Sequence, residues 1–77
     1  MVKTLVLNEH GFTEGAVDDL EVMIDRYGIE AVLQQIGEIC GAKSEHAARM
    51  WYDIAIANRW TAVEDAVRVA SNKATGL

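Results

Sequence analysis

The chain has 77 residues, 51% of them hydrophobic, with one cysteine, no proline and a formal net charge of −5. This length supports one small domain, which buries only about 60% of the surface of its unfolded chain. A lone thiol excludes an intramolecular disulfide, the absence of Cys/His pairs argues against structural zinc, and the acidic balance argues against a nucleic-acid or anionic-membrane binder.

The charge is uneven. Residues 1–40 carry Lys3 and Arg26 against eight acids, whereas residues 41–77 carry five bases against four acids. An acidic front half suits a basic protein partner, although acidity also serves solubility. The opening MVKTLVLNEHGF lacks the apolar length and cleavage site of an export signal. No run approaches the roughly 20 apolar residues of a membrane span. With one thiol and no export signal, a reducing cytoplasm is the expected compartment. So large an apolar share on so short a chain also predicts self-association, as a homodimer or a higher oligomer.

In chain order, residues 1–12 read as an N-terminal arm and residues 13–75 as a helical domain. The arm's VKTLVL run, residues 2–7, has strand composition but no strand to pair with in a helical chain. It is expected to be a flexible or extended arm, or a piece that packs across a dimer. Helix 1 should begin at Thr13, a good N-cap, with Phe12 and Val17 in the positions of a hydrophobic staple. Its inner face is Val17, Leu20, Ile24 and Tyr27. Asp18, Glu21 and Asp25 line its outer face, either as a docking strip for a basic partner or simply as a solvated surface. Gly28 should end it.

Helix 2 is the organising stretch. Ile29, Leu33, Ile36, Cys40, Ala47, Met50 and Ile54 recur at spacings of three and four, the mark of one helical face. Val32 and Ile39 belong to its inner side, while Gly37 and Gly41 are placed toward the outside. From Ile56 a second stripe runs through Trp60, Val63, Val67, Ala70 and Ala74, out of register with the first. An interruption is therefore expected, at Gly41, near Asp53 or before Thr61. Asp53 as N-cap is preferred over the Thr61-x-x-Glu64 capping box. The tail from Ser71 should fray.

Lys43 is a charged residue inside the first stripe. A cation there must be paired, extended to solvent or shifted in its titration. The structural reading is a stem that packs and a head that meets Asp53 or Glu64 or escapes at a dimer seam, fixing register and oligomer state. Glu38, Cys40, Glu45 and His46 have metal-ligand atoms, but Glu38 and Glu45 lie about 10 Å apart by helix rise and no Glu-x-x-His pair occurs. No metal or other cofactor is expected. Without a nucleophile motif or a phosphate-binding loop, no catalytic residues are assigned and the chain is not read as an enzyme. Ile36, Gly37, Cys40 and Gly41, then Ser44, Ala47 and Met50, fit helix-turn-helix spacing, with Ser44 opening a recognition helix. Its outward residues, Glu45, His46, Ala48, Arg49 and Tyr52, offer little cationic charge for phosphate. Trp51, Tyr52 and Trp60 gather near the expected turn, with Trp60 placed inside and Tyr52 outside.

The run Tyr27-Gly28-Ile29-Glu30-Ala31-Val32-Leu33, then Glu38-Ile39-Cys40, Lys43-x-Glu45-His46, Trp51, Asp53 and Trp60, resembles a group of short uncharacterised bacterial and phage proteins. Their pattern is YGL-x-x-VL…EIC…K-x-EH…NWQD…W, and Met50 and Tyr52 depart from it. The resemblance covers about half of the chain. It implies a helical fold and a helix break near Asp53, and it carries no activity. The combined expectation is an all-α domain with a short helix 1 on an antiparallel hairpin of two longer helices. Its expected role is that of a small acidic protein-interaction module, an adaptor or inhibitor of bacterial or phage type. Asp18, Glu21, Asp25, Trp51 and Tyr52 are its candidate partner contacts and Lys43 its register-setter. A helix-turn-helix transcriptional regulator is the alternative.

Overall fold

The computed structural model describes residues 6–77 and contains three helices, α1 (Glu14–Tyr27), α2 (Ile29–Met50) and α3 (Ile54–Lys73). Of the VKTLVL run, residues 2–5 lie outside the described part. Leu7 forms an isolated antiparallel bridge with Thr13. Between them Asn8 organises a tight loop, its side-chain oxygen accepting from the amides of His10 and Phe12 at 2.9 Å each.

Each helix start follows from local chemistry. The Thr13 hydroxyl accepts from the Ala16 amide at 3.1 Å, and Phe12 and Val17 line one hollow beside it. Gly28 separates α1 from α2 with φ +86°, a left-handed value that a side chain would disfavour. Asp53 caps α3 by accepting from the Ile56 amide at 3.0 Å. The two apolar stripes are out of register because the chain turns between them, through Trp51, Tyr52 and Asp53. Tyr52 makes that turn at φ +51°, and the Asp53 amide returns to the Ala47 carbonyl at 3.1 Å.

Packing is concentrated between α2 and α3, which form an antiparallel hairpin, while α1 touches α2 far less. The seam is built from small residues. Val32, Gly37, Cys40 and Ala47 of α2 are buried, as are Ala57 and Ser71 of α3 and Ala74 beyond its end. The outward placement of Gly37 and Gly41 is thus corrected: both face α3. A Cβ on Gly37 would lie 3.7 Å from Val67 Cγ1, and one on Gly41 would meet the Glu64 carboxylate at 2.5 Å. Gly41, which costs about 1 kcal/mol in helix propensity, leaves room here for the Glu64 side chain, whereas the space at Gly37 would take a methyl. α2 does not break at Gly41.

Hydroxyls tie both ends of the seam. Near the turn, the Ser44 hydroxyl donates to the Ala57 carbonyl at 2.9 Å and lies 2.9 Å from the Thr61 hydroxyl. Thr61 therefore sits inside α3 and does not open a helix. At the far end Ser71 donates to the Glu30 carbonyl at 3.4 Å. That contact keeps Ser71 buried and α3 helical to Lys73, so the tail expected to fray from Ser71 is ordered through this point.

The hairpin uses only part of the apolar surface. Ile36 and Ile39, expected inside, are 37% and 49% exposed. In α1, Val17, Leu20 and Tyr27 are exposed, and Ile24 alone of the expected inner face is half-buried. No large side chain is fully buried among the described residues. The radius of gyration is 15.5 Å, against about 11.5 Å for a compact domain of this length. The accessible surface is 6394 Å², against roughly 4,700 Å² from the mass scaling of compact monomers. This is an open structure.

Two substitutions test the seam by chemical denaturation. Gly37→Ala should stabilise the fold by up to about 1 kcal/mol, since the methyl makes an ordinary contact and helix propensity improves; Gly37→Leu should destabilise it by about 1–3 kcal/mol through overpacking. Ser44→Ala should cost about 1 kcal/mol, the loss of a part-buried hydrogen bond. If the alanine at 37 destabilised as much as the leucine, the seam would be tighter than described.

Candidate functional site

The surface that the hairpin leaves uncovered forms a continuous trough on one side of α2. Its first part lies in the angle between α1 and α2, a hollow of about 350 Å³ lined by Leu20, Met23 and Tyr27 on one wall and by Ile36 and Ile39 on the other. Its second part, about 450 Å³, runs on from Ile39 past Lys43 and His46 to Trp51 and Trp60. From Trp60 a shallower extension reaches Ile56, Arg59 and Val63 on α3. Shared residues, Ile39 and then Trp60, join the three parts into one band.

Helical geometry explains why these side chains converge. Residues of one stripe on α2 serve two directions: Cys40 and Ala47 are buried in the seam, while Ile36 and Lys43 line the trough. Lys43 is exposed and its Nζ stands 5.8 Å from the centre of the Trp60 ring, a cation–π position. It does not pair with Asp53, which caps α3, or with Glu64, which binds Arg68 at 3.2 Å. Trp51 meets His46 edge to face, with ring centres 5.0 Å apart.

The candidate contacts from the sequence fall into separate places. Asp18, Glu21 and Asp25 form, with Glu14, an exposed acidic ridge on the outer side of α1 and make no ion pair among the described residues. Trp51 joins Lys43 in the trough, whereas Tyr52 projects from the turn, 85% exposed. Trp60, expected inside, is half-buried and lines the trough. Ile36 and Ile39, which the sequence pattern places inside, line the trough as well. The available signal was the breadth of the combined apolar pattern, wider than one neighbouring helix can cover.

Other chemistry finds less support in the arrangement. The helix-turn-helix spacing has no turn beneath it: α2 is continuous from Ile29 to Met50, and Ser44 lies inside it bonded to α3. Glu45 and Arg49, one turn apart on α2, form no ion pair with each other. Among the described residues no three His, Cys, Asp or Glu side chains converge as metal ligands, and Cys40 is a buried free thiol. Among the described residues no helix is long and apolar enough to cross a membrane. No protein-family model, curated protein or solved structure matches the chain.

The position of Lys43 gives a further test. Its only specific contact among the described residues is with Trp60, so Lys43→Leu should change monomer stability by no more than about 1 kcal/mol, the scale of an exposed cation–π contact. Breaking a buried ion pair would cost about 3–5 kcal/mol, and a loss of that size in urea titration would contradict the observed geometry.

Proposed function

We propose that this chain is a small acidic protein-interaction module, an adaptor or inhibitor that acts by covering a partner's surface and needs no cofactor. The observation that carries this reading is the apolar trough from Leu20 to Trp60. Exposed apolar surface of this continuity is characteristic of interaction sites. Trp51 and Tyr52 add aromatic side chains of the kind that dominate binding energy at interfaces. Tyr52 is 85% exposed at the turn, which leaves its ring open to a partner. The reading places the protein in the cytoplasm, consistent with its lone reduced thiol, and includes self-association beside any foreign partner.

Affinity capture from the native host tests it. The tagged wild-type chain is compared with a Trp51→Ala, Tyr52→Ala variant and with an Ile36→Asp, Ile39→Asp variant. A protein retained in near-stoichiometric amount by the wild type should fall at least tenfold with one of the two. Equal recovery by all three chains would count against interaction through these surfaces.

A further inference from the structure

We infer that the trough receives an amphipathic helix of a foreign protein, apolar along one face and carrying Asp or Glu where it passes Lys43 and Arg59. This deepens the interaction-module reading and rests on it, by stating the chemistry of the partner segment.

Charge selects the occupant first. The chain holds twelve Asp and Glu residues and a net charge of −5, yet none of those acids lines any of the three hollows that form the trough. Apart from the Tyr27 phenol, the ionisable groups there are Lys43, His46 and Arg59. Acids on the hairpin are committed elsewhere: Glu38 lines a separate hollow with Arg68, Glu64 pairs with Arg68, and Asp53 caps α3. Lys43 and Arg59 have no carboxylate partner among the described residues. Trp60 holds the Lys43 ammonium at the trough, 5.8 Å from its ring centre. Screening acts over about 8 Å at physiological salt, so a docking segment meets these local cations more strongly than the distant acids.

The same distribution argues against a second copy bound face to face. In a two-fold pairing the trough meets itself. The seam would then gather Lys43 and Arg59 from both copies with no acid to oppose them, which like-charge repulsion disfavours.

Backbone chemistry selects a helix. The trough is walled by side chains of α1, α2 and α3, whose backbone groups are bonded within their own helices. An extended segment would lay its N–H and C=O groups against Leu20, Met23, Ile36 and Ile39 without partners, whereas a helix bonds them internally. The floor along α2 from Ala31 to His46 is about 22 Å by helix rise, enough for about 15 helical residues. Polarity changes along that length: the end between α1 and α2 is apolar, and the end near Trp60 holds the cations. The occupant's acids therefore lie toward one end.

Selection from a phage-displayed library of tryptophan-free peptides, each of about 15 residues to match the floor, tests this on the immobilised full chain. Both tryptophans of the chain line the trough, so their emission reports binding there. Enriched peptides should carry apolar residues at spacings of three and four, with Asp or Glu grouped toward one end, and should shift that emission on titration. Lys43→Glu with Arg59→Glu should weaken them at least tenfold. Arg26→Glu with Lys73→Glu changes the net charge equally at exposed sites outside the trough and should leave affinity within about twofold. Lys43→Gln with Arg59→Gln removes charge without adding repulsion and should lose about threefold; it replaces the reversed variant if circular dichroism shows that variant unfolded.

Enriched peptides that lack acids, or that carry Lys and Arg instead, overturn the proposal. Equal losses in the two reversed variants do so as well, and so does full affinity in the Gln variant. Peptides that leave the emission unchanged bind elsewhere and overturn it too. No enrichment at all has the same meaning and points to a second copy or a different protein surface over the trough. In each case the capture experiment, which replaces only apolar and aromatic residues, decides the wider interaction reading independently.

Discussion

Close approach of α2 and α3 is the constraint from which the rest of the architecture follows. Its tightest point is Gly41, where the missing side chain leaves room for the Glu64 carboxylate, whereas at Gly37 a methyl would make an ordinary contact with Val67. Around them Cys40, Ala47, Ala57 and Ala74 fill the seam with small apolar groups, and Ser44 and Ser71 close its ends with hydrogen bonds. Small residues bring backbones together but cover only a narrow strip of each helix. The larger apolar side chains of α2 are consequently displaced to its flank. The trough is the geometric counterpart of the tight seam.

α1 belongs to a different regime. It is well capped and amphipathic, yet it buries no side chain, and its connection to the hairpin runs through Gly28. In a domain of this size most helical stability comes from packing an apolar face, because isolated helices of about 12–15 residues or fewer are marginal in water. A 14-residue helix with an open face is therefore a component awaiting its second surface. Its acidic ridge lies on the outer side, away from that face, and has the composition of an ordinary solvated edge.

Much of the local structure was legible from residue chemistry alone. Thr13 and Asp53 announced helix starts through their side-chain oxygens, Gly28 announced a stop, and the phase slip after Trp51 announced the turn. These signals are local, so they survive whatever the tertiary context does. The direction in which each helix faces was less legible. Gly37 and Gly41 looked peripheral because the apolar stripe was assumed to mark the packed face, whereas the tightest contact was made by the residues with least side chain. Ile36 and Ile39 looked interior for the same reason. Hydropathy reports how strongly a residue avoids water; it does not distinguish a contact inside the chain from one left open. The trough could be inferred only from the excess of apolar residues, and its path from Leu20 to Trp60 required the fold.

A seam of alanine-sized groups also has a calorimetric consequence. The heat-capacity increment of unfolding scales with the apolar area newly exposed to water, and a chain with no fully buried large side chain among its described residues exposes little. Its stability curve is correspondingly flat, and with a small unfolding enthalpy its thermal transition is broad. Whatever covers the trough adds apolar area to the folded side of that balance. The steepness of the transition is thus a property of the assembled surface, and the chain by itself sets only its lower bound.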